Sequence, residues 1–183
     1  MDSVNKTLYI PLYGKSKSKW LAYYMAMRAA VYDEWVREEI RKNPAAIVMH
    51  IGCGMDSRIQ RVTPDNTQWY DIDFPEVIEE RRKYYEESDF YHMLAADMRT
   101  EDWRGYFTVE SDAIIIMEGI SMYLPREDLQ QLLLRLTQQF PRVALLMDCY
   151  TTFGAKASKY KNPINEVGVT QVYGIDDIHA LIS

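Results

Sequence analysis

Cysteine, histidine, long apolar runs and surplus positive charge are all scarce in this chain of 183 residues, and each scarcity closes a line of interpretation. Two cysteines, Cys53 and Cys149, give no disulfide framework and suit a reducing cytoplasm. The three histidines, His50, His92 and His179, lie far apart, and no Cys/His spacing resembles a zinc ligand set. His50, within a strand, and Cys53, between two glycines, read first as packing residues. Spacing places no Ser-His-Asp or Cys-His arrangement. No apolar stretch reaches the roughly 18 residues that span a bilayer, and the opening MDSVNKTLYIPLYGK has no signal-peptide core. With 21 Lys and Arg against 27 Asp and Glu the net charge is −6, which disfavours a nucleic-acid partner. The basic runs KSKSK and ERRK are short and read as solvated surface. There is no repeat, low-complexity tract or linker.

What is present is the balance of a globular domain, 48% hydrophobic and 26% charged, in a chain long enough for one core. Helix and strand patterns alternate, which implies a mostly parallel sheet with helices on both faces. Residues 20–42 read as a leading helix, with Leu21, Tyr24, Met25, Tyr32, Trp35, Val36 and Ile40 at helical spacing, ended by Asn43-Pro44. Strands follow at 45–51, 68–72, 91–95, 113–117 and 143–147. Pro75 starts a helix between the second and third, and Pro125 opens another that runs to about residue 139. Beyond Thr151 the pattern weakens, and residues 176–182 suggest a last short helix. The domain expectation is one unit over 1–183: a helical lead-in at 1–44, a cofactor-binding core at 45–150 and a partial C-terminal region at 151–183.

In open α/β sheets ligands sit beyond the carboxyl ends of the strands, so those ends are where chemistry is expected. The first strand runs into Gly52-Cys53-Gly54, whose glycines permit a tight turn and a close ligand approach. No Gly-Lys-Ser/Thr follows, so the turn is not a phosphate-binding P-loop, and a bare turn remains the alternative. The second strand ends in Asp71-Ile72-Asp73. Asp73 lies 21 residues beyond Gly52, near the separation at which an acid accepts hydrogen bonds from ribose hydroxyls. Strand alternation puts Asp71 and Asp73 on one face. One acid reading a ribose while the other is solvated or caps the following helix is the economical arrangement. Asp97 and Met98 follow the third strand, and Glu118 follows four buried aliphatics, where an unpaired carboxylate is costly. Arg28 falls on the apolar stripe of the leading helix. A charge there wants a ligand anion, a protein acid such as Glu118, or a route to solvent.

The segments TLYIPLYGK, RAAVYDEWV, HIGCGMDSR, YDIDFPEVIEERRK, AADMRTEDW, MEGISMYL and LLMDCYT, in this order, resemble the leucine carboxyl methyltransferase family, which includes bacterial polyketide O-methyltransferases of the tetracenomycin type. The resemblance implies a Rossmann-like class I methyltransferase fold, with methyl transfer from S-adenosylmethionine to a carboxylate of a small molecule or peptide. It assigns Arg28 to the carboxylate of the cofactor's methionine part, Gly52, Cys53 and Gly54 to its backbone contacts, and Asp73 to its ribose. Asp97 and Met98 fall to the adenine, Glu118 to the amino group or sugar, Lys15 to a further carboxylate, and Tyr123 to the transferred methyl or the substrate. Two departures accompany it. The stretch between Lys15 and Met25 is shorter than in relatives, and the last two C-terminal strands of the family sheet are missing after Ser183.

The implied reaction is a direct in-line displacement. A carboxylate is ionised at neutral pH and needs no general base, so alignment is expected to dominate. Two other readings use the same residues: a binding module that keeps the methyltransferase shell without turnover, and a nicotinamide-dependent oxidoreductase. Asp56-Ser57 after the glycine turn and the absence of a second domain count against the latter.

Overall fold

A computed structural model describes residues 19–99, 103–107, 110–157 and 171–181. The leading helix α1 (Lys19–Lys42) is followed by β1 (Ile47–Ile51), α2 (Arg58–Val62), β2 (Trp69–Asp73), α3 (Pro75–Arg81) and β3 (Tyr91–Ala95). Then come β4 (Ala113–Met117), α4 (Arg126–Gln139), β5 (Val143–Met147) and α5 (Thr152–Ala157). Helical expectations hold to within a residue or two for α1 and α4, and Pro75 stands at the first helical position of α3 as its fixed φ favours. The helix expected at 176–182 is instead a single 3₁₀ turn at His179–Leu181. Another 3₁₀ turn, Trp103–Tyr106, stands between β3 and β4.

All the strand pairings are parallel, in the order β3-β2-β1-β4-β5. That order reverses between β1 and β4, the crevice where open α/β sheets hold ligands. β1 and β4 are buried along their whole length, which explains their unbroken apolar runs.

Strand alternation divides the core into two faces. Ile47, Met49, Ile51, Ala113, Ile115 and Met117 meet Leu129, Leu132, Leu133 and Leu136 of α4 on one side. Val48, Trp69, Ile114 and Ile116 meet Tyr32 and Val36 of α1, Val62 of α2 and Ile78 of α3 on the other. The helices therefore lie on both faces, as expected. Among the described residues, no helix is long and apolar enough to cross a membrane.

Candidate active site at the carboxyl edge of the sheet

The glycine turn is built by backbone geometry. Gly52 and Gly54 have φ of 64° and 53°, the left-handed region that side chains avoid. A Cβ at Gly52 would stand 2.9 Å from Cγ1 of Ile120 and closer still to its Cδ1. The amides of Gly52 and Cys53 donate to the Ile72 carbonyl at 2.7 and 3.3 Å, tying the turn to β2. Cys53 is buried, and burial pushes its thiol well up.

Asp73 closes this turn from the end of β2. Its Oδ2 accepts the Gly54 amide at 2.8 Å and its Oδ1 the Phe74 amide at 2.8 Å. Burial pushes its carboxyl up, against the pull of those two amides. A carboxylate has about four lone-pair sites, so two remain for a ligand.

Arg28 meets two acids at the neighbouring strand ends. Its Nε donates to Glu118 Oε1 at 2.7 Å and its Nη1 to Asp148 Oδ2 at 2.9 Å. Glu118 follows β4 and Asp148 follows β5, so a long helix and two parallel strands converge here. Asp148 also accepts the Gly119 amide at 2.6 Å, fixing the loop after β4, where Gly119 has φ of 72°. Burial raises the Asp148 carboxyl, with Glu118 adding to the shift while the Gly119 amide and Arg28 oppose it. The protein-acid alternative for Arg28 is thus realised, with a second partner that sequence reading passed over. The three side chains retain 19%, 11% and 21% exposure for Arg28, Glu118 and Asp148, enough to meet a ligand.

Behind them the charges are closed in. Arg58, fully buried, pairs with Asp33 at 2.8 Å, Asp56 at 3.1 Å and Glu118 at 2.5 Å. Arg61 joins Asp33 and Asp56 at 2.5 and 2.7 Å. Burial alone would raise the Asp56 carboxyl, but the Arg61 and Arg58 guanidiniums hold it at about 2. In this chain of pairs Asp33, Asp56, Glu118 and Asp148 outnumber Arg28, Arg58 and Arg61 by one.

The Asp97 carboxylate is clasped by its neighbour Arg99, at 2.6 to 3.2 Å. Met98 is buried in the α4-side core, and its carbonyl accepts the Trp103 indole at 3.1 Å. Tyr123 ends the 3₁₀ turn Ser121–Tyr123 and is half-buried. Lys15 lies outside the described residues.

Asp71 corrects an expectation. It is neither solvated nor a helix cap: it is fully buried, paired with Arg81, and accepts from Tyr91 Oη at 2.6 Å and Trp69 Nε1 at 2.8 Å. Repulsion from Asp73 is absorbed by that guanidinium. His50, read as packing, has Nδ1 3.3 Å from Asp71 and Nε2 3.3 Å from Arg58.

Asp148 and Arg58 are among the residues that sequence reading left without a role. Asp148 follows an apolar strand just as Glu118 does, so the signal was present; Arg58 belonged to the quoted HIGCGMDSR segment. Among the described residues, no group of three or more His, Cys, Asp or Glu could hold a metal ion.

The sequence profile of the family described as Leucine carboxyl methyltransferase matches residues 6–137. The chain is 34% identical over 160 residues to the tetracenomycin polyketide synthesis O-methyltransferase TcmP of Streptomyces glaucescens, covering 87% of this chain and 59% of that one. It is 30% identical over 135 residues to the S-adenosyl-L-methionine-dependent methyltransferase dpfgK of Gibberella zeae, covering 69% and 45%. The chain thus spans about half the length of the curated relatives it matches. Among solved structures, an S-adenosylmethionine-dependent methyltransferase from Anabaena variabilis superposes with a TM-score of 0.62 at 16% identity, covering 84% of this chain and 68% of that one. Magnesium protoporphyrin IX methyltransferase from Synechocystis, solved with bound S-adenosylhomocysteine, gives 0.59 at 14% identity, covering 86% and 71%. The fold is that of the class I methyltransferases, Rossmann-like α/β.

Proposed function

The chain belongs to the leucine carboxyl methyltransferase family, and on that premise we propose that it is an S-adenosylmethionine-dependent O-methyltransferase acting on a carboxylate. The observation that carries this reading is the convergence of Arg28, Glu118 and Asp148 beside the glycine turn, at the reversal of strand order. A methionine tail is a zwitterion. Arg28 would take its carboxylate, while Glu118 and Asp148 face its ammonium, and the surplus carboxylate of the cluster suits a ligand that brings a cation.

Asp73 would accept from the ribose hydroxyls with the lone pairs that Gly54 and Phe74 leave unused. Gly52, Cys53 and Gly54 would lie against the cofactor through backbone atoms, and Asp97 and Met98 border the adenine end. Tyr123 would face the transferred methyl or the acceptor. The bound cofactor supplies a methyl group on a positively charged sulfur, an electrophile that needs no activation by the protein.

The chain's own task is then to align and to exclude water. A carboxylate acceptor arrives ionised, so no side chain has to remove a proton. Alignment of this kind is worth up to roughly 7–11 kcal/mol. Support for a carboxylate comes from the family description, and support for a small acceptor of the polyketide kind comes from the Streptomyces relative. Free thiols at Cys53 and Cys149 suit a cytoplasmic setting.

Calorimetric titration with S-adenosylmethionine and S-adenosylhomocysteine tests the cofactor, and labelled-methyl transfer to a panel of carboxylic acids tests the reaction. Saturable binding that weakens in Arg28→Ala is expected. Absence of binding in a folded protein would sink the reading, and binding without transfer across the panel would leave a nucleoside-binding module.

A further inference from the structure

The hydroxyl of Tyr32 is buried and makes no hydrogen bond among the described residues. An orphaned buried hydroxyl is costly, so its position asks for a partner that comes from outside the fold. Tyr32 leaves α1 one turn after Arg28, which puts both side chains on one helix face. Side chains on a helix lean toward its N-terminus, so the Tyr32 side chain leans toward the turn that carries Arg28, whose charge acts on the phenol.

The ring is enclosed by the site's own charges. The residue is 4% exposed, and the Arg58 guanidinium carbon stands 5.2 Å from the ring centre. Arg58 holds Glu118, which in turn holds Arg28. Burial raises the phenol's pKa, Asp148 and Glu118 raise it further, and Arg28 and Arg58 oppose them. The group therefore remains a neutral donor throughout the working pH range. Asp148 takes the Gly119 amide on one oxygen and Arg28 on the other, and the Tyr32 hydroxyl bonds to neither.

We propose that Tyr32 is a ligand-binding residue, whose hydroxyl donates to the carboxylate of the cofactor's amino-acid tail beside the guanidinium of Arg28. This rests on the S-adenosylmethionine reading above. The tail carboxylate is the matching acceptor because it is the one anionic group of that ligand, and Arg28 already divides its donors between Glu118 and Asp148. A phenol suits a site that alternates between filled and empty, since it leaves no uncompensated charge when the ligand departs.

The test is Tyr32→Phe, which removes the hydroxyl and keeps the ring. S-adenosylhomocysteine and 5′-methylthioadenosine, which keeps the nucleoside and thioether but lacks the amino-acid tail, are titrated into wild type and variant. Thermal midpoints of the ligand-free proteins are read alongside. The affinity for S-adenosylhomocysteine is expected to fall roughly 10- to 100-fold, as for one hydrogen bond to a charged group. Affinity for 5′-methylthioadenosine stays as it was, and the ligand-free midpoint holds or rises. Unchanged affinity for S-adenosylhomocysteine overturns the proposal. So does an equal loss for both ligands with a lowered midpoint, which makes Tyr32 a packing residue. A wild-type chain that binds neither nucleoside overturns the cofactor reading and takes this proposal with it.

Discussion

Two ionic clusters lie on the sheet face beneath α1 and α3, built from the same residue types and differing in closure. In the first, Asp71 and Arg81 have side chains at 0% exposure, and Tyr91, Trp69 and the Gly54 carbonyl saturate the pair. In the second, Arg28, Glu118 and Asp148 keep part of their surface, hold one carboxylate too many and border a hydroxyl that has no partner among the described residues. A buried pair that completes itself serves the fold. A pair left incomplete at the edge of a sheet has an appetite for a ligand.

Breaking the closed cluster should have the largest effect. Arg81→Met strands the Asp71 carboxylate in the core, and removing one partner of a buried pair costs about 3–5 kcal/mol. Urea unfolding measures this, and a loss below about 1 kcal/mol would erase the contrast between the clusters. Arg28→Ala should do the reverse. Glu118 keeps Arg58 and Asp148 keeps the Gly119 amide, so stability changes by about 1 kcal/mol or less, while affinity for S-adenosylhomocysteine falls on the order of 100-fold. Comparable stability losses for the two variants would mean that both clusters are structural.

Acid sharpens the comparison next. Asp56, held at about 2 in the fold, contributes stability that is fully present above its unfolded value near 4 and is lost as pH falls toward 2. The contribution is on the order of 2 kcal/mol and should vanish from the acid limb of a urea series in Asp56→Asn. Asp73 works in the opposite direction. Burial raises its carboxyl, so its ionised form costs stability at neutral pH, and that cost is relieved as pH falls through the raised value. Cofactor binding should weaken over that same interval, because a protonated Asp73 loses acceptor capacity. The smallest effect is expected of Asp73→Asn. It should lower S-adenosylhomocysteine affinity by roughly tenfold and flatten this pH dependence. An unaltered affinity would remove Asp73 from the site.

Much of this arrangement was legible in the residues, because the signals were local. The apolar runs of β1 and β4, the proline at the start of α3 and the glycines at a strand end each declare themselves within a few residues. So did the position of Asp73. Its neighbour Asp71 was misread because its partner Arg81 lies on the next helix, and only the crossover of α3 over the sheet brings them together. Asp148 was missed for a similar reason. An acid after a strand is unremarkable until the β4–β5 pairing sets it beside Glu118 and Arg28. Short local pieces such as α2 and the 3₁₀ turns carry too few residues for a period to show.

The meeting of Gly52 with Ile120 has a hereditary side. The two positions hold one side chain between them, although they stand 68 positions apart in the chain. In a library randomised at both, survivors at 120 can include smaller aliphatics, because that side chain merely fills the space. At 52 the trade does not run backwards, since an emptied position 120 still leaves φ at 64°. The pair therefore records its constraint unequally: one position drifts, and the other is written in a single letter.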